Sequence, residues 1–129
     1  MLGWALVLPV LKRVVPLPRL ARLMWSDARG EGRKPERERQ VATLARWVFR
    51  FRKRAGDESC LERSLLMYRY LSRLNANPRL ETGVRKDGAD LDGHAWVVVD
   101  GEPVYEKPVE LEPFVRVVSF GARGARETA

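Results

Sequence analysis

Cys60 is the one cysteine of this sequence and His94 its one histidine. A cysteine and a histidine together can carry out nucleophilic thiol chemistry, in which a thiolate attacks a carbonyl carbon and an imidazole shuttles the proton. The position of each suits that use. Cys60 lies in Ser59-Cys60-Leu61-Glu62-Arg63-Ser64-Leu65, the opening of a helix. Free N–H groups and the positive end of the helix dipole lower a thiol pKa there. His94 begins His94-Ala95-Trp96-Val97-Val98-Val99, an apolar run with strand character. Taken separately, a lone cysteine is more commonly a small buried hydrophobe and a lone histidine a satisfied strand end. The combination points to catalysis.

A third group is needed to orient the imidazole and fix its tautomer. Asp100 and Glu106 are the nearby carboxylates. Asp100 sits in a hairpin signal, Asp100-Gly101, a strand's length from His94. Glu106 lies on the returning segment, where parity decides its face. A two-residue turn sends Glu106 to the face opposite His94. A three-residue turn, Asp100-Gly101-Glu102, pairs Trp96 with Glu106 and sets Glu106 diagonally beside His94. Pro103 cannot donate to a ladder, which favours the longer turn. Glu106 is therefore the expected third residue, with Asp100 the alternative and a plain surface carboxylate the bland reading.

These residues need elements to hold them. Val41, Leu44, Ala45, Val48 and Phe51 recur at helical spacing, so a helix is expected from about Gln40 to Arg54, with Gly56 as its C-cap. Asp57 or Ser59 caps the next helix. Leu61, Leu65, Tyr68, Leu71 and Leu74 carry that helix to about Leu74 and mark it as central. Pro78 stops it. Leu80, Thr82 and Val84 alternate with polar residues in a half-buried strand over residues 79–86. Residues 86–93 read as a turn and His94 to Val99 as a central strand. Val104 to Lys107 starts the return strand, Phe114 to Val118 adds another, and residues 121–129 are expected to fray. Helices followed by an antiparallel sheet make an α+β domain, with the Cys60 helix packed on the sheet.

The N-terminal apolar run, Met1 to Leu11, is too short to span a bilayer, and Lys12 and Arg13 follow it where a secretory signal has its basic residues first. Pro9, Pro16 and Pro18 break any long helix there, leaving a short basic amphipathic helix from Arg19 to Trp25. Residues 26–40 are nearly devoid of apolar side chains and read as an exposed loop. The chain thus divides into a helical segment over 1–25, which covers the core or docks a partner, a loop over 26–40 and a core domain over 41–129. At 129 residues this is one domain, and four Trp and four Phe argue against disorder. One cysteine excludes an intramolecular disulfide and fits the cytoplasm. One cysteine and one histidine disfavour a zinc site, so no metal or cofactor is expected. The net charge of +7 suits an acidic partner; no nucleic-acid-reading motif accompanies it, so nucleic acid is not the expected ligand.

The segments Cys60-Leu61-Glu62-Arg63-Ser64-Leu65, Gly83-Val84-Arg85-Lys86 and His94-Ala95-Trp96-Val97-Val98-Val99-Asp100-Gly101 closely resemble the bacterial lasso-peptide leader peptidases, small transglutaminase-like cysteine proteases. The resemblance covers roughly Val41 to Glu106. It implies a papain-like α+β core and removal of the leader from a ribosomally made precursor, after which an ATP-using cyclase closes the lasso ring. It implies a leader-binding recognition protein as partner, since the chain looks like the stand-alone type. It makes Cys60 the nucleophile and His94 the base. The family's third residue is an aspartate at about the place of Glu106, and glutamate is longer but can hold an imidazole. Arg63 also matches the motif and is read as structural. Two other readings are acyl transfer by the same residues and a basic partner- or nucleic-acid-binding module with an incidental cysteine. Product analysis separates the first from hydrolysis; steep salt dependence of binding marks the second.

Overall fold

The α+β expectation holds. The computed structural model describes residues 14–28, 30, 32–49 and 60–128, together with Gly3, Leu8 and Leu11. Helix α1 spans Leu17–Met24, with a proline in its first turn, where a missing N–H costs nothing. It buries Leu20, Ala21 and Met24, so this segment belongs to the core; Arg19, Arg22 and Leu23 stay exposed. Helix α2 spans Pro35–Phe49. It begins earlier than the apolar spacing indicates, because Pro35 starts a helix well and Glu36 and Glu38 complement the positive end of its dipole. The last five residues of the helix expected there, its Gly56 cap, and the Asp57 and Ser59 caps lie outside the described residues.

Helix α3 spans Cys60–Arg73 and is the centre of the molecule. Leu65, Leu66, Met67, Tyr68 and Leu71 are all fully buried, each contributing about 1.5–3 kcal/mol of transfer free energy. The helix packs against α1 and α2 and against strands β1 and β2. Ser64 Oγ donates to Ala95 O at 3.0 Å and ties the helix to the sheet one turn beyond Cys60.

Among the described residues five strands form one antiparallel sheet, in the order β3-β2-β1-β4-β5. They are β1 (Arg79–Asp87), β2 (Asp90–Val99), β3 (Glu102–Pro103), β4 (Val115–Phe120) and β5 (Arg126–Thr128). The expected turn over 86–93 is only Gly88-Ala89; its flanks remain strand, exposed at the tip, because backbone pairing from Asp87 to Asp90 needs no apolar side chains. The return strand expected at 104–107 is absent. Strand β3 ends at Pro103, the chain bends through 104–106, and a one-turn helix α4 follows at Pro108–Leu111. The C-terminal segment does not fray through 126–128. Gly121 N–H bonds to Ala125 O, Gly124 takes φ +71, and Arg126–Thr128 pairs with β4. Tyr68 OH accepts from Gly124 N–H and donates to Gly121 O, which anchors this turn to α3.

No described helix is long and apolar enough to cross a membrane.

Candidate active site

The structure brings Cys60, His94 and Glu106 together and places Asp100 elsewhere. Cys60 stands at the start of α3 as described, half-buried, with the His94 ring and the Ala95 backbone near enough to its sulfur to stabilise a thiolate. His94 is on β2, paired across the sheet with Gly83. Its Nε2 lies 3.1 Å from Glu106 Oε1, which leaves Nδ1 for the thiol. Asp100 is paired with Arg33 at the exposed hairpin turn, and Arg33 also holds Glu38.

Glu106 reaches His94 by a different route from the one its sequence position suggests. The turn is the two-residue form: Asp100 and Gly101 have φ of +54° and +79°, and Val99 pairs with Glu102. Strict parity would then send Glu106 to the far face. Parity stops acting because the ladder ends at Pro103, and the bends at 104–106 rotate Glu106 under the ring.

Arg63, read from the sequence as structural, also reaches this site. Its Nη2 lies 2.5 Å from Glu106 Oε1, the same oxygen that faces His94. Its guanidinium sits 3.9 Å from the Tyr105 ring centroid. The signal was available, since residues three apart share a helix face and Arg63 follows Cys60 by three. A second support had a weaker signal. Trp96 is on the same face of β2 as His94, with ring centroids 6.0 Å apart, and Phe114 lies 5.2 Å from the histidine on the loop before β4. Trp96 is held by its Nε1–H donating to Glu81 Oε2 at 2.8 Å, and Arg116 holds the other Glu81 oxygen at 3.0 Å.

The electrostatics favour a thiolate–imidazolium pair. Burial pushes the Cys60 thiol up, but the hydrogen bond from His94, the Ala95 N–H and the charges of His94 and Arg63 outweigh it and hold the thiol below its ordinary value. His94 is pushed up to about 9 by its hydrogen bonds to Cys60 and Glu106, against the opposing effect of burial. Such a pair is a ready nucleophile beside a proton donor. Among the described residues no group of three His, Cys, Asp or Glu side chains could hold a metal ion.

Cys60 and His94 open onto a cleft of about 510 Å³ whose other walls include Leu17, Gly83, Gly93 and Val117. Gly83 cannot be replaced without cost. A Cβ there would lie 2.8 Å from Trp96 Cη2 and 2.8 Å from Val115 O. Gly83→Ala is therefore expected to destabilise the domain by about 1–3 kcal/mol. It is also expected to push Trp96 against His94; thermal unfolding together with Cys60 alkylation rates checks both effects.

A family profile described as the transglutaminase-like superfamily matches residues 4–119, nearly the whole chain. No curated protein and no solved structure matches.

Proposed function

Since this chain belongs to the transglutaminase-like superfamily, we propose that it is a cysteine peptidase that removes the leader peptide from a ribosomally made lasso-peptide precursor. The observation that carries the catalytic part is the Cys60–His94–Glu106 constellation, open to a cleft through Cys60 and His94. The substrate class rests on the resemblance of residues 60–65, 83–86 and 94–101 to the leader peptidases.

The geometry supports the following mechanism. His94 Nδ1 carries the proton given up by Cys60, and the thiolate attacks the scissile carbonyl. N–H groups at the start of α3 are the donors assigned to the developing oxyanion. His94 returns the proton to the amine as the C–N bond breaks, leaving a thioester on Cys60. His94 then draws a proton from water, whose oxygen attacks the thioester and releases the leader as a free acid. Glu106 keeps Nε2–H engaged throughout.

The partners follow the same reading: the precursor leader, a leader-binding protein that delivers it, and the cyclase that takes the product, all in the cytoplasm. The exposed side of α1, with Arg19, Arg22 and Leu23, is the docking surface we assign to the leader-binding protein, and the positive charge of the chain suits an acidic leader.

One experiment tests this. The chain is incubated with a lasso precursor, with and without its leader-binding protein, and products are read by mass spectrometry. A free-acid leader plus an intact core, formed by wild type and not by Cys60→Ala, is the expected result. An Arg19→Glu/Arg22→Glu variant should lose only the acceleration given by the partner. Cleavage that survives Cys60→Ala removes the mechanism; an amide product in place of the acid identifies an acyltransferase. An intact precursor in every arm, with steeply salt-dependent nucleic-acid binding, identifies a binding module.

A further inference from the structure

The segment that presents Glu106 has no strand to hold it. Beyond Pro103 the bond from Val104 N–H to Val97 O is the last that links it to β2, and residues 104–106 bend away from the sheet. A glutamate also has one more rotatable bond than an aspartate, so its carboxylate needs an anchor of its own. Two arginines from the helical layer supply the missing constraints. Arg46 of α2 donates through Nη2 to Tyr105 O at 3.0 Å and lies 5.0 Å from the Tyr105 ring centroid. Arg63 of α3 stacks on the same ring at 3.9 Å and reaches Glu106 Oε1 at 2.5 Å. The Arg63 and Glu106 side chains are 11% and 5% exposed, so the pair is nearly dry and its geometry is firm. Both partners of the carboxylate converge on Oε1, while Oε2 is buried with no hydrogen-bond partner among the described residues.

We propose that Arg63 is a positioning residue: seated on Tyr105, it pins Glu106 Oε1 against His94 Nε2 and thereby aims His94 Nδ1 at Cys60. This rests on the reading of Cys60, His94 and Glu106 as the reacting group, and it assigns the arginine a task distinct from stabilising the helix. A planar, always-charged guanidinium can stack on a ring and hold a carboxylate at once, which an ammonium does less well. The charged groups facing His94 and Glu106 are Cys60 and Arg63 from α3. From the sheet side the His94 ring meets Trp96, and from the loop before β4 it meets Phe114.

The single histidine makes the test direct, because protein labelled with ¹⁵N-histidine gives one imidazole spin system. The midpoint of its titration is read together with the pH dependence of Cys60 alkylation by iodoacetamide, in wild type, Arg63→Met and Arg63→Lys. If Arg63 positions Glu106, Arg63→Met frees the carboxylate from the ring. The His94 midpoint then falls by about one unit, the tautomer signature of an engaged Nε2–H weakens, and alkylation on the acid side slows about tenfold. Arg63→Lys, which keeps the charge, is expected to recover part of the shift and covers the case in which the methionine variant does not fold. A His94 midpoint that stays put in folded Arg63→Lys and Arg63→Met overturns the proposal, because a merely structural arginine would leave it there. A midpoint that rises also overturns it, since Glu106 would then be holding the ring unaided. These readouts concern the ring and the thiol alone, so failure of the peptidase reading appears separately, as an uncut precursor with the His94 signature intact.

Discussion

Replacing His94 with alanine is expected to slow alkylation of Cys60 near neutral pH by about ten- to a hundredfold. The direction follows from the balance at the thiol. Burial raises its pKa, and the hydrogen bond of His94 is the largest opposing effect, followed by the Ala95 N–H and then the charges of His94 and Arg63. Without the ring, burial is opposed only by the Ala95 N–H and Arg63, and the thiol returns to or above its ordinary range. A thiol of pKa about 8.5 is about one per cent ionised at about pH 6.5, which sets the upper end of the effect. Peptide cleavage should fall further, by the additional factor of about 10²–10⁴ that a positioned acid and base contributes. The pH profile carries a second signature. In wild type the acid limb reports loss of the Cys60 proton and lies below the usual thiol range. The alkaline limb reports loss of the His94 proton and lies at about 9, where the leaving amine loses its proton donor. On the peptidase reading cleavage is therefore expected to be bell-shaped, whereas alkylation, which needs no acid, is expected to rise to a plateau. His94→Ala should move the alkylation curve to higher pH and abolish the alkaline limb of cleavage. An alkylation curve unchanged in the variant would show that His94 does not activate the thiol.

How much of this site was legible in the sequence depended on whether a residue advertised itself by type, by spacing or only by its place in space. Cys60 and His94 were legible by type, and α3 by its apolar spacing, because a helix buried on several sides must repeat large side chains along it. Glu106 was singled out, but on a turn length that the structure does not adopt. Asp100 and Gly101 both accept positive φ, so the tight turn forms, and Pro103 then releases the chain from the ladder. Period-two reasoning applies only while backbone pairing lasts, and here it ends three residues before the residue of interest. Strand β5 was illegible for the converse reason. Its backbone pairs with β4, and Arg79 holds Glu127, without any apolar pattern to reveal it. The start of α2 was read as part of the loop over 26–40, because residues 35–40 carry no apolar spacing, although Pro35, Glu36 and Glu38 suit the first turn of a helix. Arg63, Arg46 and Tyr105 come from three separate elements, and no single-sequence spacing joins them.

Replacing Glu106 with alanine is expected to have the largest effect on stability, and the pair it forms with Arg63 explains why. Both side chains are nearly buried. Removing the carboxylate leaves a guanidinium in a dry site without a counter-charge, a change that costs about 3–5 kcal/mol. A domain of this size has on the order of 5–15 kcal/mol in total, so a fall in Tm of roughly 10–20 °C is expected. Glu106→Gln keeps an oxygen for Arg63 and His94 and should lose less stability, while still lowering His94 basicity because the negative charge is gone. The informative variant is the double one, Arg63→Met/Glu106→Leu. Replacing a buried ion pair by apolar groups of similar volume is often neutral or stabilising. Stability should therefore return toward wild type. Alkylation on the acid side should stay slow, because neither the charge that holds the imidazolium nor the cation that aids the thiolate is present. Thermal unfolding and alkylation kinetics on the same four proteins separate the two effects. If restored stability brought restored reactivity, Glu106 would serve the fold alone and the thiol and imidazole would need no third partner. If reactivity stays low in a protein that melts like wild type, the buried pair is retained for the ionisation of Cys60 and His94, at a site where an apolar core would fold at least as well.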